Sequence, residues 1–266
     1  MTRLSAADYL TAIRRESARF REVLADCDTD ARVPSCPDWS AGDLLGHLGN
    51  VQHWWAAMLS NRPQSPDEMG YVELPRPDGH QALLDAFDEH HAAFMTALAS
   101  ADPAEAAWTW SSDHTVAFIY RRQAHEALIH RIDAELAAGD VTPLEPALAA
   151  DGVAETLDVM YGGLPPWGRF DPVPRYLEFR LTDAGTSLWT QLGTFSGTSP
   201  AGEEISDEPD MHLVPDPGGA ADAVVTGTAG DIDAWLWHRR DDAGISVTGD
   251  RSAYDHARAV LDQPIN

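Results

Sequence analysis

The sequence predicts an α+β protein, with a bundle of four helices in the first half and a smaller domain of mixed strands and helices in the second. Three observations carry this reading. Apolar residues recur at spacings of three and four through most of residues 5–138, which is the period of a helix with one buried face. After Pro146 the pattern changes to short runs of aromatic and β-branched residues parted by turn signals, the mark of strands. A chain of 266 residues with 44% hydrophobic content can also fill the core of one large or two ordinary domains.

Residues 5–26 form the first helix, with Leu10, Ile13, Ser17, Phe20 and Leu24 as a mostly apolar stripe. Pro34 and Pro37 then hold an extended approach to a second helix, which starts at Ser40 because Asp43 follows three residues later and completes a capping box. Leu44, Leu48, Val51 and Trp55 step along its apolar face, and His47 falls between them, pointing inward or nearly so. A loop rich in Pro and acidic residues, 61–79, leads to a third helix at 80–100 built on Leu83, Leu84, Phe87, Phe94 and Leu98. The fourth helix contains Arg121 to Asp133 and is closed by Gly139, with Pro143 beyond as a stop. The domain boundary falls near 140–147, dividing the chain into 1–142 and 143–266.

In the second domain Leu148 to Met160 reads as a helix, followed by a Gly- and Pro-rich break. Tyr176 to Leu181 and Ser187 to Phe195 make a hairpin around the turn at 182–185. The acidic stretch with Pro209, Pro215 and Pro217 is expected to be loop. Ala223 to Thr228 is a third strand, residues 230–240 a helix, Gly244 to Thr248 a fourth strand and Arg251 to Leu261 a closing helix. No internal repeat or low-complexity tract is present.

A net charge of −25 repels phosphate backbones and anionic headgroups, which argues against nucleic-acid and membrane roles. No apolar run approaches the ~20 residues of a membrane span, and the start of the chain lacks the apolar core of a signal peptide. The expectation is a soluble, cytoplasmic protein. Cys27 and Cys36 are too few for a disulfide framework and are not spaced as a zinc knuckle, so both read as reduced thiols.

The best chemical signal is the segment RRQAHEALIHRID at 121–133. On a helix Glu126 and His130 stand four residues apart, about 40° around the axis, so carboxylate and imidazole share a face like two arms of a metal clamp. His125 points about 140° away from His130 and is left out. Such a pair alone is more commonly a hydrogen-bonded surface pair, so a metal site requires a third ligand. His47 is the candidate, projecting from a facing helix, although its residue type fits a hydrogen-bonded core histidine equally well.

PSCPDWSAGDLLGHL at 34–48 and RRQAHEALIHRIDAELAAG at 121–139 resemble the mycothiol-dependent maleylpyruvate isomerase family within the DinB-like superfamily of four-helix metalloenzymes. The second half is similar to that family's sterol-carrier-like C-terminal domain through VVTGTAGDIDAWLWHRR and ISVTGD. The resemblance implies that His47, Glu126 and His130 bind a divalent metal. Two histidines and one carboxylate suit Zn²⁺ at a centre that leaves a position for water or substrate, and the ligand types also admit Fe²⁺ or Ni²⁺. Asp133, one turn past His130, either orients that imidazole or pairs with a neighbouring arginine. The implied activity is isomerisation or S-transfer on a small electrophile with a low-molecular-weight thiol, mycothiol in the family, as co-substrate. Arg239 is the candidate for anchoring a carboxylate of substrate or thiol, against the alternative of a surface pair with Asp241 or Asp242. A hydrolase using metal-activated water and a non-catalytic ligand-binding protein with a vestigial metal site remain the rival readings. In the family the residue after Trp237 is often Gly; here it is His238, a departure that bears on the local turn.

Overall fold

The computed structural model describes residues 3–71 and 74–265, so residues 72 and 73 of the expected 61–79 loop lie outside the described residues. By its internal contacts the chain divides into a unit of Leu4–Thr142 and a second unit that holds Pro143 onward.

The first unit contains four long helices: α1 (Ala6–Ala25), α2 (Ala41–Asn61), α3 (His80–Ser100) and α4 (Val116–Ala138). α1 packs mainly on α4 and α2 on α3, while α2 also meets α4. The capping box expected at α2 is present: the Ser40 hydroxyl accepts from Asp43 N at 3.1 Å and Asp43 Oδ2 accepts from Ser40 N at 2.9 Å. A matching box of Ser5 and Asp8 starts α1. Between α1 and α2 the two-proline segment is more regular than expected, because β1 (Arg32–Val33) and β2 (Cys36–Ser40) form a small antiparallel ladder. Phe20, Leu24, Leu44, Leu45, Leu48, Leu84 and Phe87 fill the core beside it.

α4 differs from an ordinary bundle helix, since it is buried on nearly all sides and has no apolar stripe distinct from a polar one. Its buried charges are therefore paired. Arg131 donates to Glu16 at 2.8 Å and to Glu135 at 2.7 Å, and Glu135 also accepts from Arg19 at 2.9 Å and from Thr142 N at 2.8 Å. Removing one partner from such a buried network costs on the order of 3–5 kcal/mol. The helix ends where Gly139 takes a left-handed φ of 77°, which glycine adopts without Cβ strain.

The second unit is a five-stranded sheet in the order β5-β4-β3-β6-β7, built from β3 (Gly168–Leu181), β4 (Thr186–Thr198), β5 (Glu204–Val214), β6 (Ala223–Gly227) and β7 (Ile245–Gly249). β3 and β4 form the expected hairpin with Leu181 opposite Thr186. β6 runs parallel to β3, and the other pairings are antiparallel. Leu177, Phe179 and Leu181, alternate residues of β3, face one core with Leu188, Leu192, Met211 and Val225. The helices α5 (Pro146–Glu155), α6 (Ala229–Leu236) and α7 (Arg251–Leu261) supply the rest of that core. α5 runs on into a single π turn, Thr156–Met160. α5 and α6 approach closely at Gly152, where a Cβ would lie 2.6 Å from Asp233 Oδ2.

The first part of the acidic segment expected as loop is instead strand β5, while Pro215 and Pro217 lie in the loop that follows it, as expected. It pairs with β4 from Glu204 opposite Thr198 to Val214 opposite Trp189. Pro209 is tolerated because β5 is the edge of the sheet, where a missing N–H disrupts only one side of the ladder. Among the described residues, no helix is long and apolar enough to cross a membrane.

Candidate metal centre

The facing helices α2 and α4 bring His47, Glu126 and His130 together. One donor atom from each lies within 4.8 Å of the other two, and among the described residues this is the one group of three such side chains that converges so. Glu126 Oε1 stands 3.1 Å from His130 Nε2 and 3.7 Å from His47 Nε2. Two ligand atoms each about 2.1 Å from a tetrahedral Zn²⁺ stand roughly 3.4 Å apart, so the spacing and the donor types fit a divalent transition metal.

Two of the three donors are aimed by a neighbour. His130 Nδ1 lies 2.9 Å from Asp133 Oδ2; a carboxylate only accepts, so Nδ1 carries the proton and Nε2 turns toward Glu126. Of the two roles open to Asp133, the structure supports the orienting one. Asp133 is fully buried and accepts a second hydrogen bond from Ser35 Oγ at 2.5 Å, out of the turn between β1 and β2. Arg122, one turn before Glu126, donates to Glu126 Oε2 at 3.0 Å and leaves Oε1 for the two imidazoles. The Trp39 ring covers the group from β2, 4.6 Å from the His47 ring and 6.4 Å from that of His130.

The electrostatics follow from this arrangement. Burial opposes the charged form of His130, but hydrogen bonds to Asp133 and Glu126 outweigh it, and its pKa is pushed up to about 9. Burial likewise opposes ionisation of Glu126, yet the His130 hydrogen bond and charge, with His47 and Arg122, hold its carboxyl well below the usual range. With no metal, the trio is a carboxylate holding a protonated imidazole.

His47 points less inward than expected: its side chain is 36% exposed, against 10% for His130. His125 is buried elsewhere, edge-on to the Tyr9 ring at 6.4 Å. His91 bonds Gln52 Oε1 at 2.9 Å, and His90 stacks near His53 with ring centroids 4.6 Å apart. Sequence reasoning misses Arg122, which its i,i+4 spacing before Glu126 could have marked, and Ser35, which nothing in the local pattern marks.

Arg239 lies in the second unit, half-buried just beyond α6, where its Nη1 donates to the Trp237 carbonyl at 2.7 Å. It lines a shallow cavity of about 470 Å³ with Arg240, Arg258 and Trp235. Beside it His238 takes the left-handed conformation, φ 57°, at the position where α6 ends. His238 N donates to the Trp235 carbonyl and Arg239 N to the Ala234 carbonyl, at 3.0 and 2.8 Å, the paired bonds of a helix stop that normally uses Gly. The imidazole offsets the strain by donating from Nε2 to the Leu261 carbonyl at 2.7 Å.

A helical unit carrying two histidines and a carboxylate at metal spacing, followed by a five-stranded α+β unit, defines the class: an α+β protein of two compact units with a candidate metal centre in the helical one. The chain belongs to the mycothiol-dependent maleylpyruvate isomerase family. Residues 10–135 match the model of the mycothiol maleylpyruvate isomerase N-terminal domain, and residues 147–256 match that of the MDMPI C-terminal domain. Among solved structures, the chain is similar to a mycothiol-dependent maleylpyruvate isomerase, with a TM-score of 0.60, and to a histidine-to-alanine mutant of such an enzyme, with 0.62. Each is 14% identical, over 93% of this chain and 96% of the other. No curated protein sequence matches the chain.

Proposed function

We propose that the protein is a metal-dependent enzyme that uses a low-molecular-weight thiol, mycothiol by family, either to isomerise a small electrophile or to transfer the thiol onto it as a thioether. The observation that carries this reading is the convergence of His47, Glu126 and His130 donors within 4.8 Å. These three residues would hold a divalent metal, most simply Zn²⁺, with Fe²⁺ or Ni²⁺ also compatible with the donors. The cation, when bound, supplies Lewis acidity that favours thiolate over thiol.

The chain's own residues fix the rest. Asp133 keeps the proton on His130 Nδ1, Arg122 turns one Glu126 oxygen toward the imidazoles, and Trp39 limits water access from its side. A thiolate adding to an activated alkene forms a C–S bond as the π electrons move onto the activating carbonyl. Rotation about the new single bond and return of those electrons expels the thiolate and gives the isomer; protonation of carbon instead retains the thioether. Arg239, as a cation of the second unit, is proposed to bind an anionic end of substrate or thiol.

The test is to assay metal-loaded protein with mycothiol and a panel of electrophiles beside a panel of hydrolysable esters and amides. Thiol-dependent turnover that disappears in a His47→Ala/His130→Ala variant is expected. Hydrolysis without thiol would overturn the reading in favour of a hydrolase, and inactivity on both panels with full metal content would favour a binding protein.

A further inference from the structure

The first unit contains a cavity of about 780 Å³ between α2, α3 and the segment around Arg76. That volume suits a small-molecule ligand. One wall is the stripe His47, Asn50, Val51 and Trp54, residues at i, i+3, i+4 and i+7 that share a face of α2 and lead away from the candidate metal centre. The opposite wall is Leu83, Ala86, Phe87 and His90 of α3. The cavity therefore shares His47 with the metal centre.

Its walls are unsuited to a compact dianion. Among the described residues lining it, Arg76 is the one guanidinium, and Asp43 in the same wall already pairs with it. Burial and the neighbouring His53 keep His90 toward its neutral form. With the metal's open position taken by the thiol, desolvating two carboxylates here lacks a compensating cation and is strongly unfavourable, whereas the partly exposed Trp54 and Tyr71 rings favour a flat apolar body. Asn50 and His90 offer a few polar contacts for orientation. Low-molecular-weight thiols are hydrophilic and need many such contacts, so the walls fit the electrophile better than the thiol.

The helix also makes room for this space. Gly46, in the second turn of α2, lines it, and a Cβ there would meet only Leu83 Cδ2, at 3.9 Å. A glycine inside a helix is unfavourable relative to alanine, and no close packing at this position requires it.

We propose that this cavity receives the body of the electrophile, and that the electrophile is an uncharged or singly charged molecule with a planar, conjugated, apolar body rather than a short dicarboxylate. This rests on the thiol-dependent reading above for the word electrophile, and on the cavity alone for the ligand class.

The experiment uses the full chain, metal-loaded and metal-free, with 2-naphthol as an uncharged planar probe and maleate as a dicarboxylate. Titration calorimetry should give one 2-naphthol site, weakened at least about ten-fold in Gly46→Leu, which fills the space from α2. Ala86→Leu, which fills it from α3, serves the same purpose should Gly46→Leu not fold. Metal content should stay unchanged in both, and maleate in ten-fold excess over 2-naphthol should not displace the probe. In the thiol assay 2-naphthol should inhibit competitively with the electrophile. Equal 2-naphthol affinity in wild type and the filled variants, no binding to wild type, displacement by maleate, or binding without inhibition of turnover would each overturn the proposal. Because probe binding is read without metal as well, a protein that takes up no metal defeats the metal-centre reading while leaving the cavity result intact.

Discussion

Asp133 Oδ2 sits 2.9 Å from His130 Nδ1 while the opposite ring nitrogen faces Glu126 at 3.1 Å, so one imidazole is held between two carboxylates. A metal ion and a proton compete for the same nitrogen there. In the metal-free protein His130 carries its proton up to about pH 9. Metal uptake at pH 7–8 should accordingly release close to one proton per site, and affinity should rise roughly ten-fold per pH unit up to about pH 9. Calorimetry in buffers of different ionisation enthalpy measures the proton count. The stability of the metal-free protein has the matching sign. A pKa raised above the unfolded value stabilises below about pH 6.5, and that contribution is lost as pH rises to about 9, so Tm should fall across this window.

Asp133→Asn should leave His47, Glu126 and His130 in place yet lower metal affinity about 10- to 100-fold, because the amide no longer fixes the His130 tautomer. Ser35→Ala, which removes only the 2.5 Å bond to Asp133, should have a smaller effect in the same direction. Competition against a chelating dye reads both, and an unchanged Asp133→Asn affinity would show that the imidazole is oriented by packing alone.

A fragment of residues 1–142 should fold as a helical unit and bind about one metal ion, since the three proposed ligands lie within Leu4–Thr142. Circular dichroism with elemental analysis checks this; a well-folded fragment that binds no metal would mean that another ligand lies beyond residue 142.

Much of this site was legible because it repeats a local rule. Glu126 and His130 share a helical face by spacing, and the Ser40–Asp43 box fixed where α2 starts and hence where His47 points. The nearly complete burial of α4 was not legible: its charges are neutralised by Glu16 and Arg19 of α1, over a hundred residues away. Ser35 was invisible for the same reason, as its partner lies 98 residues on. Strand β5 was missed because prolines and carboxylates are poor strand formers, and only its position at the sheet edge makes them acceptable.

His238→Ala should destabilise more than His238→Gly, by about 1 kcal/mol, because alanine keeps the cost of φ 57° and loses the bond to Leu261 whereas glycine loses only the bond. Denaturant unfolding of the two variants decides this, and the reverse order would mean that the left-handed turn relaxes in the variants.

Arg239→Ala should keep fold and metal but lower kcat/KM on an anionic electrophile by about 2–4 kcal/mol if Arg239 binds the substrate's charge. Arg240, exposed and paired with Asp231, is the matched control. Equal kcat/KM for the two variants would remove Arg239 from the site and leave recognition to the aromatic walls.

The sheet edge formed by β5 has a bearing on how the protein behaves in concentrated solution. An edge strand offers a template on which another chain can add, and long flat edges are where folded proteins start to assemble into aggregates. Here that template is spoiled in three ways. Pro209 withdraws a donor, Asp207 turns left-handed at φ 55° where the register with β4 slips, and Glu204, Asp207 and Glu208 stand exposed along it. The prolines and carboxylates that disguise this strand in the sequence thus act as a barrier to intermolecular strand addition, so replacing them with β-branched residues would strengthen the strand at the expense of solubility.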